Sequence, residues 1–232
     1  MSKIIVITGG STGIGRATAK LAIEKGHKVV ITGRTLQSLY DTEAAISHEN
    51  LMIVQSDVSD WSSLQSLQKQ VMDKFGKVDV VFANAGFTSG ANSFFQGEAT
   101  PDQWKDMVLT NVYGAAITAR TFLPDLINSK GSFLLTGSVV GRVAVAGRLY
   151  SATKWAITGM AESIRKELIG TGVRVGLIEP GAVETPFWGE GGVPMAKVLQ
   201  PEDVASSVLF AIEQPDYVDI NEILIRPVGQ GI

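Results

Sequence analysis

Thr8-Gly9-Gly10-Ser11-Thr12-Gly13-Ile14-Gly15 follows directly on the apolar run Ile4–Ile7 and opens a helical pattern from residue 13. Glycines let the backbone turn sharply and approach a diphosphate closely, and the start of the helix offers that anion free N–H groups. A tight turn with no ligand is the plainer reading of a glycine cluster; the strand–turn–helix setting favours a nucleotide. A Walker A loop is excluded on residues. Gly10 to Gly15 fits its outer spacing, but Arg16-Ala17 stands where lysine and a hydroxyl residue are required.

The alternation continues outward from this turn. Strands are predicted over Ile4–Thr8, Lys28–Thr32, Leu51–Gln55, Val78–Ala83, Gly131–Gly137, Val173–Glu179 and Ile220–Ile225. Helical patterns lie between them, near 13–25, 36–46, 60–75, 102–127, 150–169 and 202–212, with Asp60, Pro101-Asp102 and Pro201-Glu202-Asp203 as start signals. Several strands are apolar at consecutive positions, as parallel strands buried on both faces should be. Repeated β-α units predict an α/β fold, a single-domain doubly wound parallel β-sheet with helices on both faces and ligands at the carboxyl ends of the strands.

Composition narrows the chemistry. The 232 residues carry 20 basic and 23 acidic side chains, a formal net charge of −3, and no basic tract, so neither nucleic acid nor a membrane surface is an expected partner. No apolar run reaches the ~18 residues of a membrane span, and Met1-Ser2-Lys3 has no signal-peptide pattern, so a cytoplasmic protein is expected. With no cysteine, disulfides, thiolate metal sites and cysteine nucleophiles are excluded. His27 and His48, the two histidines, leave little for a metal centre or a serine–histidine relay, and no metal is expected. Both are read as solvent-facing.

The glycine spacing T-G-x-x-x-G-x-G resembles the signature of the short-chain dehydrogenase/reductase family, and the resemblance runs along nearly the whole chain. Asn84-Ala85-Gly86 stands after the fourth strand, Asn111 in the next helix and Ser138 after the fifth strand. Tyr150-Ser151-Ala152-Thr153-Lys154 gives Y-x-x-x-K, and Glu179-Pro180-Gly181 resembles the family's cofactor clamp. Within the family the chain looks most like small NADP-dependent hydroxy-acid and general alcohol dehydrogenases, on Gly33-Arg34, Glu179-Pro180-Gly181 and the tail 221–229.

The resemblance implies one Rossmann domain over residues 1–232, with cofactor motifs mainly in 1–90, catalytic residues in 111–154 and a substrate loop at about 182–200. It implies a nicotinamide cofactor held by Gly9, Ser11, Thr12, Gly13, Ile14 and Gly15 at the phosphates. Arg34, Thr35, Asp57 and Val58 would serve the adenosine end. Asn84, Ala85, Gly86, Tyr150, Lys154, Pro180, Gly181, Val183 and Thr185 would serve the rest. Asp57 equally suits a cap for the helix that follows it. Family members commonly pair through the helices at 102–127 and 150–169, which here carry apolar residues on more than one face, so a homodimer or homotetramer is expected.

Tyr150 is the expected acid/base for an alcohol–carbonyl interconversion. A free tyrosine titrates near 10, too high for efficient proton transfer at neutrality. Lys154 lies one helical turn on, and an ammonium at about 4 Å contributes about 4 kcal/mol at an effective dielectric of about 20. That suffices to bring the phenol close to neutrality. Ser138 would hold the substrate oxygen by a hydrogen bond; alone, it is a strand-end serine closing a turn. The resemblance gives Asn111 a water relay through Lys154; otherwise Asn111 is a satisfied polar residue in a helix. The step from Ser138 to Tyr150 is one residue shorter than is common in the family, which puts the substrate geometry in doubt.

A hydrolase reading fails, because Gly137 directly precedes Ser138, where the nucleophile elbow needs G-x-S-x-G, and both histidines lie N-terminal to the serine. After the second strand an acidic residue would bind both ribose hydroxyls. Gly33 stands there, followed by Arg34 and Thr35, which suit a 2′-phosphate, so NADP(H) is expected in preference to NAD(H). Thr185–Met195 reads either as a lid closing Phe187 and Trp188 over substrate or as a loop packing them into the core. Phe94 and Phe95 suit a further wall, and Arg148 either a carboxylate anchor or an exposed loop. The expected activity is an NADP(H)-dependent oxidoreductase acting on CH–OH groups of a small alcohol or carbonyl. A non-catalytic nucleotide sensor is the alternative, and a sugar-nucleotide epimerase would need a longer C-terminal part.

Overall fold

The computed structural model describes residues 2–89, 94, 95, 97–192 and 197–231. Among these residues seven strands form one sheet: β1 (Ile4–Thr8), β2 (Lys28–Gly33), β3 (Leu51–Gln55), β4 (Val80–Ala83), β5 (Ser132–Thr136), β6 (Arg174–Pro180) and β7 (Glu222–Ile225). Their order is β3-β2-β1-β4-β5-β6-β7, parallel throughout. The helices are α1 (Gly13–Glu24), α2 (Leu36–Ile46), α3 (Trp61–Phe75), α4 (Pro101–Val108), α5 (Gly114–Ser129), α6 (Leu149–Glu167) and α7 (Pro201–Ile212).

The consecutive apolar residues of β1 are explained by two cores, one on each face of the sheet. Ile4 and Val6 join Leu64 and Leu67 of α3, Phe122 and Leu126 of α5 and Ile157 of α6. Ile5 and Ile7 join Ala19 and Ala22 of α1, Leu39 of α2 and Val204 and Val208 of α7. Successive side chains of a strand point to opposite faces, so a strand covered on both sides must be apolar at every position. Each such side chain contributes roughly 1.5–3 kcal/mol by burial. The strand order reverses at β1, which places the open end of the sheet between the carboxyl ends of β1 and β4, where ligands of such sheets bind.

Two expectations are corrected. The single helix expected over 102–127 is divided by a π-helical turn, Leu109–Tyr113, between α4 and α5. His27 is buried rather than solvent-facing: its Nδ1 accepts the Lys3 backbone N–H at 3.1 Å and its Nε2 lies 3.5 Å from Glu213 Oε1. The turn after α1 tucks the ring under the start of β1. His48 is exposed, as expected. Helix starts are also refined, since Thr100 and Gln200, one residue before each proline, form reciprocal capping boxes with Gln103 and Asp203. No described helix is long and apolar enough to cross a membrane.

Candidate active site

The turn after β1 has the backbone that its glycines allow. Gly9 and Gly13 lie at φ +64° and +49°, in the left-handed region, and a Cβ on Gly15 would strike the Gly9 carbonyl. Thr12 precedes α1 without bonding its N–H groups through the side chain, and the first turn holds no acid, so this helix start suits a diphosphate. Ser11 closes the turn through its carbonyl, which accepts the Thr42 hydroxyl at 2.8 Å. Ile14, in the first turn of α1, packs partly buried against the core.

Asn84 fastens this turn to β4. Its Nδ2 donates to the carbonyls of Thr8 and Gly9 at 3.1 and 3.2 Å, and its Oδ1 accepts the Thr136 hydroxyl at 3.1 Å. The N–H groups of Asn84 and Ala85 both donate to Thr8 Oγ1. From the far end of the chain Thr185 arrives against the same turn, for a Cβ on Gly13 would lie 3.0 Å from Thr185 Cγ2. Gly181 and Ala182 are held by the tail, the first through the Ile225 carbonyl and the second through Gln230 Oε1. Val183 is buried, and its carbonyl accepts the Trp188 indole N–H at 2.8 Å.

At the other end of the turn, Arg34 is exposed with its guanidinium 5.7 Å from the Phe87 ring centroid. Thr35 precedes α2 and makes no side-chain capping bond, so its hydroxyl is not spent on the helix. A group with a phosphate on its ribose fits this donor set. Val58 is buried against Gly114, whose missing side chain makes room for it. Asp57 does not cap α3, which settles one of its two readings. Its Oδ1 accepts from the backbone and hydroxyl of Ser59, while Asp60 takes the Ser62 and Ser63 N–H groups of the helix.

The remaining groups meet beyond Gly86. Ser138 begins a 3-10 turn, Val139–Gly141, at the end of β5, and Tyr150 and Lys154 stand in the first turns of α6. The Ser138 side chain lies beside the Tyr150 phenol and acts to lower its pKa, so the short step between them still leaves the two as neighbours. Lys154 is buried, its Nζ donates to the Thr136 carbonyl at 2.7 Å, and it lies 5.6 Å from the Tyr150 ring centroid. Asn111 sits in the π-helical turn. Its Oδ1 accepts the Phe87 N–H at 3.0 Å, and its Nδ2 donates to the Phe87 carbonyl and to Thr153 Oγ1. A Cβ on Gly86 would lie 3.2 Å from Asn111 Oδ1 and 3.8 Å from Lys154 Nζ, so these three share one corner.

The electrostatics correct a further expectation. Burial pushes the Tyr150 phenol above its ordinary value, and the neighbouring Ser138 side chain only partly opposes this. Lys154 does not bring Tyr150 toward neutrality here, because the lysine is itself desolvated, pushed down to about 8, and directed at Thr136. Phe187 contributes to this dry setting, with its ring 5.2 Å from that of Tyr150 and Trp188 edge-on behind it at 5.7 Å. The loop is thus neither an open lid nor core, since both aromatics are half-buried beside the phenol. Its Val193–Met195 part lies outside the described residues. Phe94 packs edge-on against Trp104 of α4, Phe95 is exposed, and Arg148 is an exposed residue before α6.

Sequence reasoning missed the supports. Thr136 receives Lys154, and Ser151 donates to the carbonyls of Val140 and Val143, tying the Ser138 turn to α6. Gly141 permits that closeness, because a Cβ there would lie 2.8 Å from the Lys154 carbonyl. A hydroxyl residue beside the tyrosine and a glycine three residues after Ser138 were the available signals.

Comparison with known proteins agrees with this fold. The family model for short chain dehydrogenase matches residues 3–192. An uncharacterized oxidoreductase of Staphylococcus aureus (strain USA300) is 35% identical over 229 residues, covering 97% of both chains. An alcohol dehydrogenase from the archaeon Thermococcus sibiricus, solved with 5-hydroxy-NADP, superposes with a TM-score of 0.90 at 30% identity, over 99% of this chain and 98% of that one. The closed form of a serine dehydrogenase with NADP+ gives 0.92, also at 30% identity, over 99% and 96%. With the family model matched over residues 3–192 and a relative aligned along almost its entire length, the chain belongs to the short-chain dehydrogenase/reductase family of oxidoreductases.

Proposed function

We propose that the protein is an NADP(H)-dependent oxidoreductase that interconverts a secondary alcohol and its ketone, or a primary alcohol and its aldehyde, with Tyr150 as acid/base. The observation that carries this reading is the meeting of Ser138, the Tyr150 phenol and the buried Lys154, whose Nζ lies 5.6 Å from the Tyr150 ring centroid. Two hydroxyl side chains neighbour each other there, and a substrate oxygen can be held by one and protonated by the other. A nicotinamide cofactor, when bound, supplies the two-electron redox chemistry that the side chains lack. The α1 start would hold its diphosphate, Arg34 and Thr35 its 2′-phosphate, and Lys154 its nicotinamide ribose.

Ser138 donates to the substrate oxygen, and Tyr150 gives its phenolic proton to that oxygen in reduction and takes it back in oxidation. Burial favours the protonated phenol, so positive charge beside it is needed before it can act as a base. The Lys154 amine, titrating at about 8, is placed to exchange that proton onward. Asn111 keeps the Phe87 backbone against this corner, and the second lone pair of its Oδ1 is the acceptor for a relay. NADP(H) rather than NAD(H) is supported by Gly33, Arg34 and Thr35, and by the NADP species bound in the two solved relatives.

The test is NADPH oxidation against a panel of ketones, aldehydes and keto acids, repeated with Tyr150→Phe. Turnover should fall at least about 100-fold with NADPH affinity intact. Unchanged turnover would remove Tyr150 from the mechanism. Binding of NADPH without turnover of any panel member would favour the sensor. Self-association belongs to the same proposal: exposed Val108, Tyr113 and Ile127 around α4 and α5, with Trp155 on α6, suit a homodimer or homotetramer, and a monomeric mass by light scattering would end it.

A further inference from the structure

Arg142 lies outside every group assigned above, yet it reaches three parts of the site. It directly follows the 3-10 turn Val139–Gly141 that Ser138 opens. Its Nε donates to Glu179 Oε1 at 2.6 Å and its Nη2 to Glu179 Oε2 at 2.8 Å, a two-pronged pairing, and Nη2 also lies 2.6 Å from Glu222 Oε1 on β7. Glu179 is 1% exposed in β6 and immediately precedes Pro180 and Gly181.

A carboxylate in the interior of a strand is an unusual choice. An apolar residue would avoid its desolvation, and such buried pairs are often no more stabilising than well-packed hydrophobic replacements. Its geometry supplies another reason for it. A Cβ on Gly137 would lie 3.0 Å from Glu179 Cγ, so the acid packs directly against the residue before Ser138. The Ser138 hydroxyl in turn reaches the Pro180 carbonyl at 3.4 Å. One guanidinium therefore joins the Ser138 turn, the Pro180-Gly181 strand end and β7. A lysine could supply the charge but not the planar fork that spans both carboxylate oxygens.

We propose that Arg142 is a positioning residue, whose forked pairing with Glu179 keeps the Ser138 hydroxyl in register with Tyr150 and with the Pro180-Gly181 strand end. This rests on the reading of Ser138 as the group that holds the substrate oxygen. Two variants separate geometry from stability. Arg142→Lys keeps the charge, and the double variant Arg142→Met/Glu179→Met removes the pair without leaving a buried charge.

With a ketone that the wild type reduces, both variants should lose at least tenfold in kcat, with the KM for NADPH within threefold of wild type and melting temperatures within a few degrees. In a cycle with Ser138→Ala, adding Arg142→Lys should cause no further loss, because both changes remove the same interaction. Wild-type turnover in the double variant, or losses that multiply in the cycle, would overturn the proposal. A second arm needs no turnover. Hydrogen exchange of segments 138–150 and 180–187 should rise together at least tenfold in Arg142→Lys, and unchanged protection in either segment would overturn the coupling. If no carbonyl is reduced by the wild type, the proposed reaction fails while the exchange measurement still decides the coupling.

Discussion

Arg34 is the residue on which the proposed cofactor choice turns, and its exposed setting makes that proposal measurable. A charge-assisted hydrogen bond contributes about 1.5–3 kcal/mol, equivalent to about tenfold or more in affinity. Arg34→Ala should therefore raise the KM for NADPH at least tenfold and leave that for NADH within about twofold. Equal effects on both cofactors would show that the guanidinium only covers Phe87. That Ser138, Tyr150 and Lys154 would lie together was legible in the sequence, because residue type at fixed spacing marks them. The titration of Tyr150 was not. It is set by loss of water around the phenol, which Ser138 only partly offsets, and Phe187, which packs against the phenol ring, lies far from Tyr150 in the chain.

The elements of secondary structure were legible to within a few residues, because two-sided burial leaves an apolar run and capping residues mark helix starts. The π-helical turn at Leu109–Tyr113 was hidden, since one extra residue in a helix leaves the flanking apolar patterns intact. Yet that turn is what carries Asn111 to Phe87 and Thr153. The contact of the Ser138 turn with α6 was hidden for a related reason, as it depends on a missing side chain. Gly141→Ala would bring a methyl to 2.8 Å from the Lys154 carbonyl and 3.0 Å from Thr158 Oγ1. Overpacking of this kind costs about 1–3 kcal/mol. Differential scanning calorimetry should show a melting temperature lowered by several degrees, with kcat reduced more than NADPH affinity. An unshifted melting temperature would mean that the turn can retreat from α6.

Across the whole molecule, His27 links acidity to the fold. Burial lowers its pKa below the ordinary value of about 6.5, more than the nearby Glu213 raises it, so the folded protein binds this proton less readily than the unfolded chain. Its contribution is complete above pH of about 6.5 and is lost as pH falls below that value, with a slope of at most about 1.4 kcal/mol per pH unit. Protonation also removes Nδ1 as acceptor for the Lys3 N–H. Urea midpoints measured between pH 7.5 and 5 should fall for the wild type and flatten in His27→Asn; parallel curves would assign the loss to other groups.

The place of β1 in the sheet order also shapes how the chain assembles. Residues 4–55 supply β3, β2 and β1, while β4 to β7 come from residues 80–225, and within the sheet the two portions join only along β1 and β4. During synthesis the edge of β1 at Ile5-Val6-Ile7 therefore has no partner strand until Val80–Phe82 has been made, and it is then the surface most open to mispairing. The glycine turn sits on that seam, fastened across it by Asn84. Nucleotide binding accordingly reports that the two portions have docked, and in refolding it should return only after the bulk of the helical signal.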